Sequence, residues 1–183
     1  MRYKWFTLIV LFAFFLSCGD ETLPKPKGML RLDYPQANHV SMKSGKFEFQ
    51  GNVLASVKIE GNNAITLDYP LLIGAIFIIY KPVEENLNSL LSDAQKLSYE
   101  HVIKADDITE QPFINPEDSV YGMFYEVQGD AASQAQFYVT DSTRHFVTGS
   151  LYFYAKPNYD SIYPAAIYLQ KDIRRIMETI QWQ

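Results

Sequence analysis

The side chains of this sequence that could bind a metal are few and widely spaced. The chain has 183 residues, with three histidines (His39, His101 and His145) and a single cysteine, Cys18. No two histidines show the i, i+4 spacing of a zinc-binding helix, and one thiol cannot complete a Cys–His ligand set. We therefore expect no metal and no other cofactor. We place His101 on the apolar face of a helix, His145 half-exposed at the start of a strand, and His39 in a loop.

Two serines are the candidate nucleophiles, and neither lies in a catalytic motif. Ser133 ends "GDAAS" and Ser142 lies within "TDSTRH", whereas a hydrolase of the nucleophile-elbow type needs G-x-S-x-G between a strand and a helix. The "TDSTRH" segment is typical of a hairpin turn, because Asp and Ser side chains accept hydrogen bonds from turn amides. Adjacent carboxylates such as Glu84 and Glu85 point in different directions and form no acid–base pair. We predict no catalytic residues and no enzymatic activity.

The single cysteine directly follows an apolar run at the N-terminus. Arg2 and Lys4 precede thirteen apolar or small residues, Trp5 to Ser17, which are too few to cross a hydrocarbon core about 30 Å thick. This pattern predicts a secretory signal peptide, residues 1–17, with a lipobox-like cleavage site before Cys18. A buried free cysteine is the alternative, but the polar segment "CGDETLPKPKG" is unlike a core. We predict that Cys18 is acylated and anchors the protein to a membrane.

The charge of the mature chain argues against nucleic acid as a partner. The sequence has 16 Lys+Arg and 21 Asp+Glu, and loss of Arg2 and Lys4 with the signal peptide moves the formal net charge from −5 to −7. Such a surface repels phosphate backbones. A lone Cys also excludes an internal disulfide in an oxidising compartment.

Beyond the signal peptide, the sequence predicts a tether, residues 18–28, and one globular domain, residues 29–183. Period-2 runs predict strands, and a periodicity of three to four residues predicts two helices. The predicted strands cover 29–34, 46–50, 53–60, 64–69, 74–81, a short run near 108–113, 119–128, 133–142 and 145–155. The predicted helices run from Val83 to Ala105, with Glu84 and Glu85 in the first turn and Lys104 in the last, and from Tyr163 to Trp182.

This order of strands, helix, strands and helix predicts an α+β fold. Its simplest form is a single domain in which two amphipathic helices pack on one twisted, mainly antiparallel β-sheet. The continuous apolar run "GAIFIIYK" predicts a central strand covered on both faces. The order of the elements is similar to that of the PsbP/Mog1-like sandwich.

Two polar turns are the candidate partner surface. "QGDAAS" and "TDSTRH" flank the aromatic strand "QFYV", and they carry Asp130, Asp141 and Arg144. Binding groups commonly lie on turns displayed by a rigid sheet. The alternative is that both segments are only good turn formers.

Several segments together resemble one protein family. They are "CGDETLPKPKGMLRLDYP", "LSYEHVIKADDI", the closing amphipathic helix and, most specifically, the stretch from Tyr121 to Ser161 that contains "GDAAS" and "FYVTDSTRHF". The chain resembles the gliding motility lipoprotein GldD family of Bacteroidota. The resemblance implies a cell-envelope lipoprotein required for gliding coupled to type IX secretion, with other gliding and secretion proteins as partners and no known enzyme activity. Among the residues, it assigns a defined role only to Cys18, as the acylated residue.

Two functions stay open at this point. One is a structural or assembly component of the gliding and secretion apparatus, and the other is a periplasmic ligand-binding or chaperone-like module of the envelope. In either case we expect a lipid-anchored protein that faces the periplasm rather than the cell surface. The sequence leaves open the membrane and leaflet, the direct partners, the oligomeric state and the role of "DSTRH".

Overall fold

The fold contains ten β-strands and two α-helices within the residues that the structure describes. The structure is a computed structural model, and it describes residues 34–61, 63–99, 104–155 and 158–183, all within one compact unit, Leu32–Gln183. The strands are β1 (His39–Lys43), β2 (Phe47–Asn52), β3 (Ser56–Glu60), β4 (Ala64–Tyr69), β5 (Gly74–Pro82), β6 (Ala105–Asn115), β7 (Val120–Gly129), β8 (Ser133–Thr140), β9 (His145–Phe153) and β10 (Gln181–Trp182). The helices are α1 (Leu87–Tyr99) and α2 (Tyr159–Glu178), and a 3₁₀ turn, Pro70–Leu72, joins β4 to β5. The predicted signal peptide, Cys18, the tether, all of the first predicted strand except Tyr34, and His101 lie outside the described residues.

The strands form two antiparallel sheets. Seven strands are arranged in the order β3-β4-β5-β9-β8-β7-β6, and the other three in the order β1-β2-β10. Every recorded strand pair is antiparallel. The α+β class is therefore confirmed, but the strands divide between two sheets where the sequence predicted one.

One face of the seven-stranded sheet, the inner face, carries the larger core. Helix α2 and the three-stranded sheet cover it, and α2 contributes Leu169, Ile173 and Ile176, which are fully buried. In antiparallel pairs, directly opposed residues share a face, so alternate residues of each strand meet this layer. The strand residues in this core include Phe47, Phe49, Ile65, Leu67, Ile76, Ile78, Phe124, Phe137, Val139, Val147 and Leu151.

Helix α1 covers the opposite, outer face with a smaller cluster. Leu90 packs with Tyr125, Tyr138 and Phe146, and the Ser98 hydroxyl donates a 3.0 Å hydrogen bond to the side-chain oxygen of Gln136. Central strand β8 is consequently buried at every position. Strand β5 is an interior strand as predicted, but it is not fully covered on its outer face, where Ile79 is exposed.

The first helix is shorter than predicted. It begins at Leu87 rather than Val83, because Glu85 has a left-handed backbone conformation (φ 58°) that an α-helix does not allow. Glu84 and Glu85 therefore precede the helix and do not lie in its first turn. Lys104 directly precedes β6 instead of closing the helix.

The second helix is displaced toward the N-terminus relative to the prediction. It begins at Tyr159 and ends at Glu178, and Gln181 and Trp182 then pair with Glu48 and Phe47 as β10. The predicted apolar face is confirmed by burial, since Ile173 is fully buried and Lys171 is exposed. Neither helix in the described ranges is long and apolar enough to cross a membrane.

The two helix faces give a direct test of the core. We expect Ile173→Asp to unfold the domain, because an unpaired buried carboxylate costs several kcal/mol, comparable with the roughly 5–15 kcal/mol stability of a domain. Leu90→Asp should destabilise the outer cluster, and Lys171→Glu on the exposed side of α2 should melt like the wild type. Thermal melts by circular dichroism measure all three. An Ile173→Asp protein with a wild-type melting temperature would contradict the placement of α2.

Candidate functional site

The strand directions define two ends of the domain. At the proximal end, the described chain begins and Pro35 lines a small 30 Å³ cavity with Leu54, Tyr69 and Leu71. At the distal end lie residues 141–144, which connect β8 to β9, and β10, whose Trp182 ring stacks on His145. The predicted functional residues fall at both ends.

The distal turn is held together by the side chain of Asp141. Its Oδ1 accepts hydrogen bonds from the backbone N–H groups of Thr143, Arg144 and His145 at 3.0, 2.8 and 2.8 Å. Its Oδ2 accepts the Thr143 hydroxyl at 2.9 Å, and Ser142 takes a left-handed conformation (φ 66°) within the turn. Both oxygens of Asp141 are therefore engaged inside the turn.

These hydrogen bonds determine the acidity of Asp141. Burial alone would raise its pKa, but the hydrogen bonds from the backbone of Arg144, His145 and Thr143 outweigh burial and lower the pKa to about 2. Asp141 is thus ionised at any physiological pH. Its charge stabilises the turn.

The last residue of "DSTRH" joins the two sheets. His145 is buried, not half-exposed as predicted. Its ring stacks on Trp182 with centroids 5.1 Å apart, and its Nδ1 lies 3.1 Å from the Tyr80 hydroxyl. Burial lowers the pKa of His145. The positive charges of Arg144 and Lys46 lower the pKa further, and the negative charge of Asp141 raises it. The neutral imidazole of His145 packs between the rings of Tyr80 and Trp182 and has a structural role.

Asp130, which follows β7 at the proximal end, also has a structural role. The Asp130 carboxylate accepts a 2.7 Å hydrogen bond from the backbone N–H of Tyr159, the first residue of α2. The N-cap residue, Asn158, provides no side-chain hydrogen bond. Asp130 therefore caps the helix from a neighbouring turn, and its charge also suits the positive end of the helix dipole.

The three residues of the predicted partner surface do not form one contiguous surface. Strand β8 separates the two turns by eight residues, or about 25 Å at 3.3 Å per residue. Phe137 and Tyr138, expected beside the turns, are buried. Arg144 is exposed, and within the described residues it is the one of the three whose side chain has no hydrogen bond or ion pair.

The candidate nucleophiles serve structure as well. Ser133 is fully buried and donates its hydroxyl to the Leu151 carbonyl at 2.9 Å. Ser142 is exposed at the tip of the distal turn, where its backbone N–H donates to the Thr140 hydroxyl at 2.9 Å. Within the described ranges no group of His, Cys, Asp and Glu could hold a metal ion.

A polar cluster that the sequence analysis missed lies under α2. Asp172 is 2% exposed on the core side of the helix. Its Oδ2 accepts a 2.7 Å hydrogen bond from the Asn52 amide, and its Oδ1 lies 3.2 Å from His39 Nε2. His39 begins β1 and does not lie in a loop as expected. The signal was present in "YLQKDIRRI", where an aspartate falls on the apolar stripe of a helix.

Two tyrosines complete this cluster. Tyr168 accepts a 3.1 Å hydrogen bond from Asn52 and donates one to the Pro35 carbonyl at 3.0 Å. The Tyr69 hydroxyl is buried without a hydrogen bond of good geometry among the described residues. Burial, reinforced by the charge of Asp172, raises the pKa of Tyr69, which stays protonated. The cluster fixes the start of the described chain to α2 and β2.

The cluster forms the floor of an open groove along α2. The groove has a volume of about 410 Å³, and its lining includes His39, Tyr168, Lys171, Arg175 and Glu178. A shallower groove of about 170 Å³ on the other side of the helix is lined in part by Phe124, Lys171 and Arg174. The helix therefore presents a ridge between two grooves.

The ridge is basic, although the whole chain is acidic. We define the basic ridge as Lys171, Arg174 and Arg175. The two guanidinium groups contact neutral amides, Arg174 to Gln111 at 2.7 Å and Arg175 to Gln50 at 2.6 Å, and Arg174 also lies 4.2 Å above the Phe124 ring. No ion pair of these three residues is recorded within the described part of the chain, so their charges are available to an anionic partner.

The chain matches a known protein family. The family model described as gliding motility lipoprotein GldD matches residues 19–182, which is most of the chain. No curated protein matches. The matched segment starts directly after Cys18 and includes every described residue except Gln183.

The Asp141 turn gives a prediction about acid stability. Because the pKa of Asp141 is lowered from 3.8 to about 2 on folding, its stabilisation is complete above pH 4 and is lost as the pH falls through about 2. We expect Asp141→Asn to flatten the stability profile between pH 4 and pH 2. Asp141→Ala should lower the free energy of unfolding at pH 7 by about 1–3 kcal/mol, because the N–H groups of the turn lose a charged acceptor.

Urea unfolding at a series of pH values measures both effects. Glu117→Gln, at an exposed carboxylate, is the matched control and should leave the profile unchanged. An Asp141→Asn profile that parallels the wild type down to pH 2 would refute the role of this carboxylate.

Proposed function

The chain belongs to the gliding motility lipoprotein GldD family, and we propose that it is a lipid-anchored, non-enzymatic component of the gliding machinery that works by binding other envelope proteins. The observation that carries this proposal is the extent of the match, residues 19–182, which includes almost the whole described domain. Family membership supports involvement in gliding motility. The anchor residue, the binding face and the mode of action are the further content of the proposal.

The proposed anchor is Cys18. A basic start, an apolar run and a small residue before the thiol precede it, and the family match begins with the next residue. One acyl chain holds a protein only marginally, whereas two or more hold it stably. We propose that residues 1–17 are removed and that the acylated Cys18 is the first residue of the mature protein.

The proposal that the protein is not an enzyme rests on how its polar groups are used. Two of the most buried polar side chains have structural partners: Ser133 bonds to a backbone carbonyl, and Asp172 bonds to Asn52. His39 beside Asp172 is the one arrangement that resembles part of a catalytic dyad. Among the described residues, the lining of its groove offers no Ser, Thr or Cys nucleophile for it to activate.

The proposed binding face is the basic ridge with its two grooves. Lys171 and Arg175 are exposed, and both lie on a helix whose opposite side is fixed in the core. A rigid helix binds with little loss of conformational freedom, and its charges favour a partner segment rich in carboxylates. Arg144 in the distal turn stays a second candidate contact. The carboxylates of Asp130 and Asp141 are engaged within the fold, so we give them a structural role.

Coupling to type IX secretion and a role in assembly of the apparatus belong to this proposal too. A domain tethered to a membrane and without a catalytic centre would act by holding partner proteins together. We place it on the periplasmic side of the envelope, where an acidic, disulfide-free domain can fold on its own.

A second candidate function is a ligand-binding or chaperone-like module of the envelope. The 410 Å³ groove favours it, since pockets of this size accept small molecules. A groove that served a small ligand would show saturable binding by the isolated protein. A groove that serves a protein partner would show binding only with that partner.

The anchor is tested by changing the thiol. We expect Cys18→Ser to abolish acylation, because serine has no thiol to carry the lipid. The precursor should then stay uncleaved, or the protein should be released from membranes. Palmitate labelling and membrane fractionation measure these outcomes, with a thermal melt as the control for folding. A wild-type protein that stays membrane-bound without incorporating label would contradict the proposal.

The binding face is tested by reversing its charge. We expect the double substitution Lys171→Glu and Arg175→Glu to abolish gliding without change in membrane attachment, because a repelled acidic partner no longer docks. The melting temperature should change little, since exposed pairs contribute about 0–1 kcal/mol. Lys96→Glu, at an exposed position of α1, is the matched control, and cells that carry it should glide normally.

Arg144→Glu separates the two candidate faces. If Arg144→Glu stops gliding while the ridge double variant glides, the distal turn carries the contact and the ridge does not.

A further inference from the structure

Four large apolar or aromatic side chains are exposed at the proximal end of the domain. They are Val53, Leu71, Ile73 and Tyr154, with exposed fractions of 50%, 87%, 56% and 61%. We call these four residues the apolar tip. Single exposed apolar residues are common on protein surfaces, but a group at one end of a domain marks a contact surface.

The turn between β4 and β5 holds the centre of the tip outward. Pro70 begins a 3₁₀ turn, and Ile73 closes it with a left-handed backbone (φ 52°) that β-branched residues rarely adopt. The Ile73 N–H donates to the Pro70 carbonyl, and the Ile73 carbonyl accepts the Tyr154 N–H at 2.8 Å. The turn is therefore fixed, with Leu71 at its apex.

The tip adjoins the place where the chain arrives from its N-terminus. Pro35 lines the same small cavity as Leu71, Leu72 and Leu54, and Leu54 directly follows Val53. Only the sixteen steps from Cys18 to Tyr34 separate the proposed anchor from this end, at most about 55 Å of fully extended chain. The tether thus holds the proximal end near the bilayer at high effective concentration.

We propose that the apolar tip inserts into the surface of the membrane that holds the lipid anchor. This inference rests on the proposed function, because it takes Cys18 to be acylated. Transfer of leucine and isoleucine side chains to the acyl region of a bilayer lowers their free energy. A tyrosine suits the interface because its ring is apolar and its hydroxyl is polar. Asp68, beside the tip, is paired with Lys58 at 3.8 Å, which reduces the cost of bringing its charge near lipid.

This contact would orient the whole domain. The distal turn and β10 lie at the end of the strands opposite to the tip. Insertion of the tip would direct that end away from the membrane, and would leave α2 with its basic ridge accessible from the side. A lipid anchor alone would let the domain rotate freely.

Tryptophan fluorescence in vesicles tests the inference on the full, acylated protein. The sequence has two Trp, and the proposed cleavage removes Trp5, so Trp182 at the distal end is an internal reference. The probe variant is Leu71→Trp, at the most exposed position of the tip. The matched control is Ile114→Trp, because Ile114 is also an exposed aliphatic residue (70%) but lies near the distal end of β6.

Each protein is reconstituted in phosphatidylcholine–phosphatidylethanolamine vesicles with and without brominated acyl chains, which quench a nearby tryptophan. We expect Leu71→Trp to lose most of its added emission in brominated vesicles and to shift to the blue. Wild type and Ile114→Trp should show no loss.

The outcomes separate the inference from the anchor. An acylated, vesicle-bound Leu71→Trp protein without quenching overturns the tip contact and leaves the anchor standing. Equal quenching at positions 71 and 114 overturns the orientation. A protein that carries no lipid and does not sediment with vesicles contradicts the proposed function, and the inference with it. Thermal melts confirm that each variant is folded.

Discussion

The contact between α2 and the inner face of the seven-stranded sheet is the constraint on which the rest of the structure depends. Leu169, Ile173 and Ile176 are fully buried there, and each such side chain contributes about 1.5–3 kcal/mol relative to exposure. Their sum is comparable with the net stability of a domain. Asp172 lies among them, so its carboxylate requires the hydrogen bond from Asn52, which ties the three-stranded sheet to the same helix. With one side of α2 fixed, the opposite side is a rigid exposed surface, which is why we propose it as the binding face.

Much of this fold could be predicted from local sequence patterns. The apolar stripe of α2 and the three successive antiparallel strands β7, β8 and β9 depend on neighbours in sequence, and the structure confirms them. The failures involve partners distant in sequence. Asp130 caps α2, which begins 29 residues later in the chain. This hydrogen bond stabilises a helix start at Tyr159, whereas Pro164 alone would favour a helix that begins near it. His145 is covered by Trp182, which stacks on it from β10, and no local pattern indicates that contact.

The candidate site shows the same limit. The residue types around Asp130 and Asp141 correctly predicted turns. The carboxylates of both residues accept hydrogen bonds within the fold, however, and are not free to bind a partner. The distinction between a displayed and an engaged carboxylate depends on backbone geometry, which composition does not specify. The basic ridge was visible as charges on one side of a helix. Its two grooves involve residues distant in sequence, His39 in the larger groove and Phe124 in the smaller one, and they could not be predicted.

We propose that the surfaces of the protein have different tasks. The proximal end combines the start of the described chain with an apolar tip, the distal end is closed by the Asp141 turn and the His145–Trp182 stack, and the side of α2 carries charge and grooves. Such an arrangement suits a tethered domain that holds a partner beside a membrane.

Site-specific photo-crosslinking in gliding cells tests this account most directly. A photoreactive residue at Lys171 should form a covalent product with another protein of the gliding machinery, and the product should disappear when Arg175 is changed to Glu. The same residue at Ile114 should give no such product. A crosslink from Ile114 to that machinery, with none from Lys171, would contradict the claim that this protein acts through the basic ridge of α2.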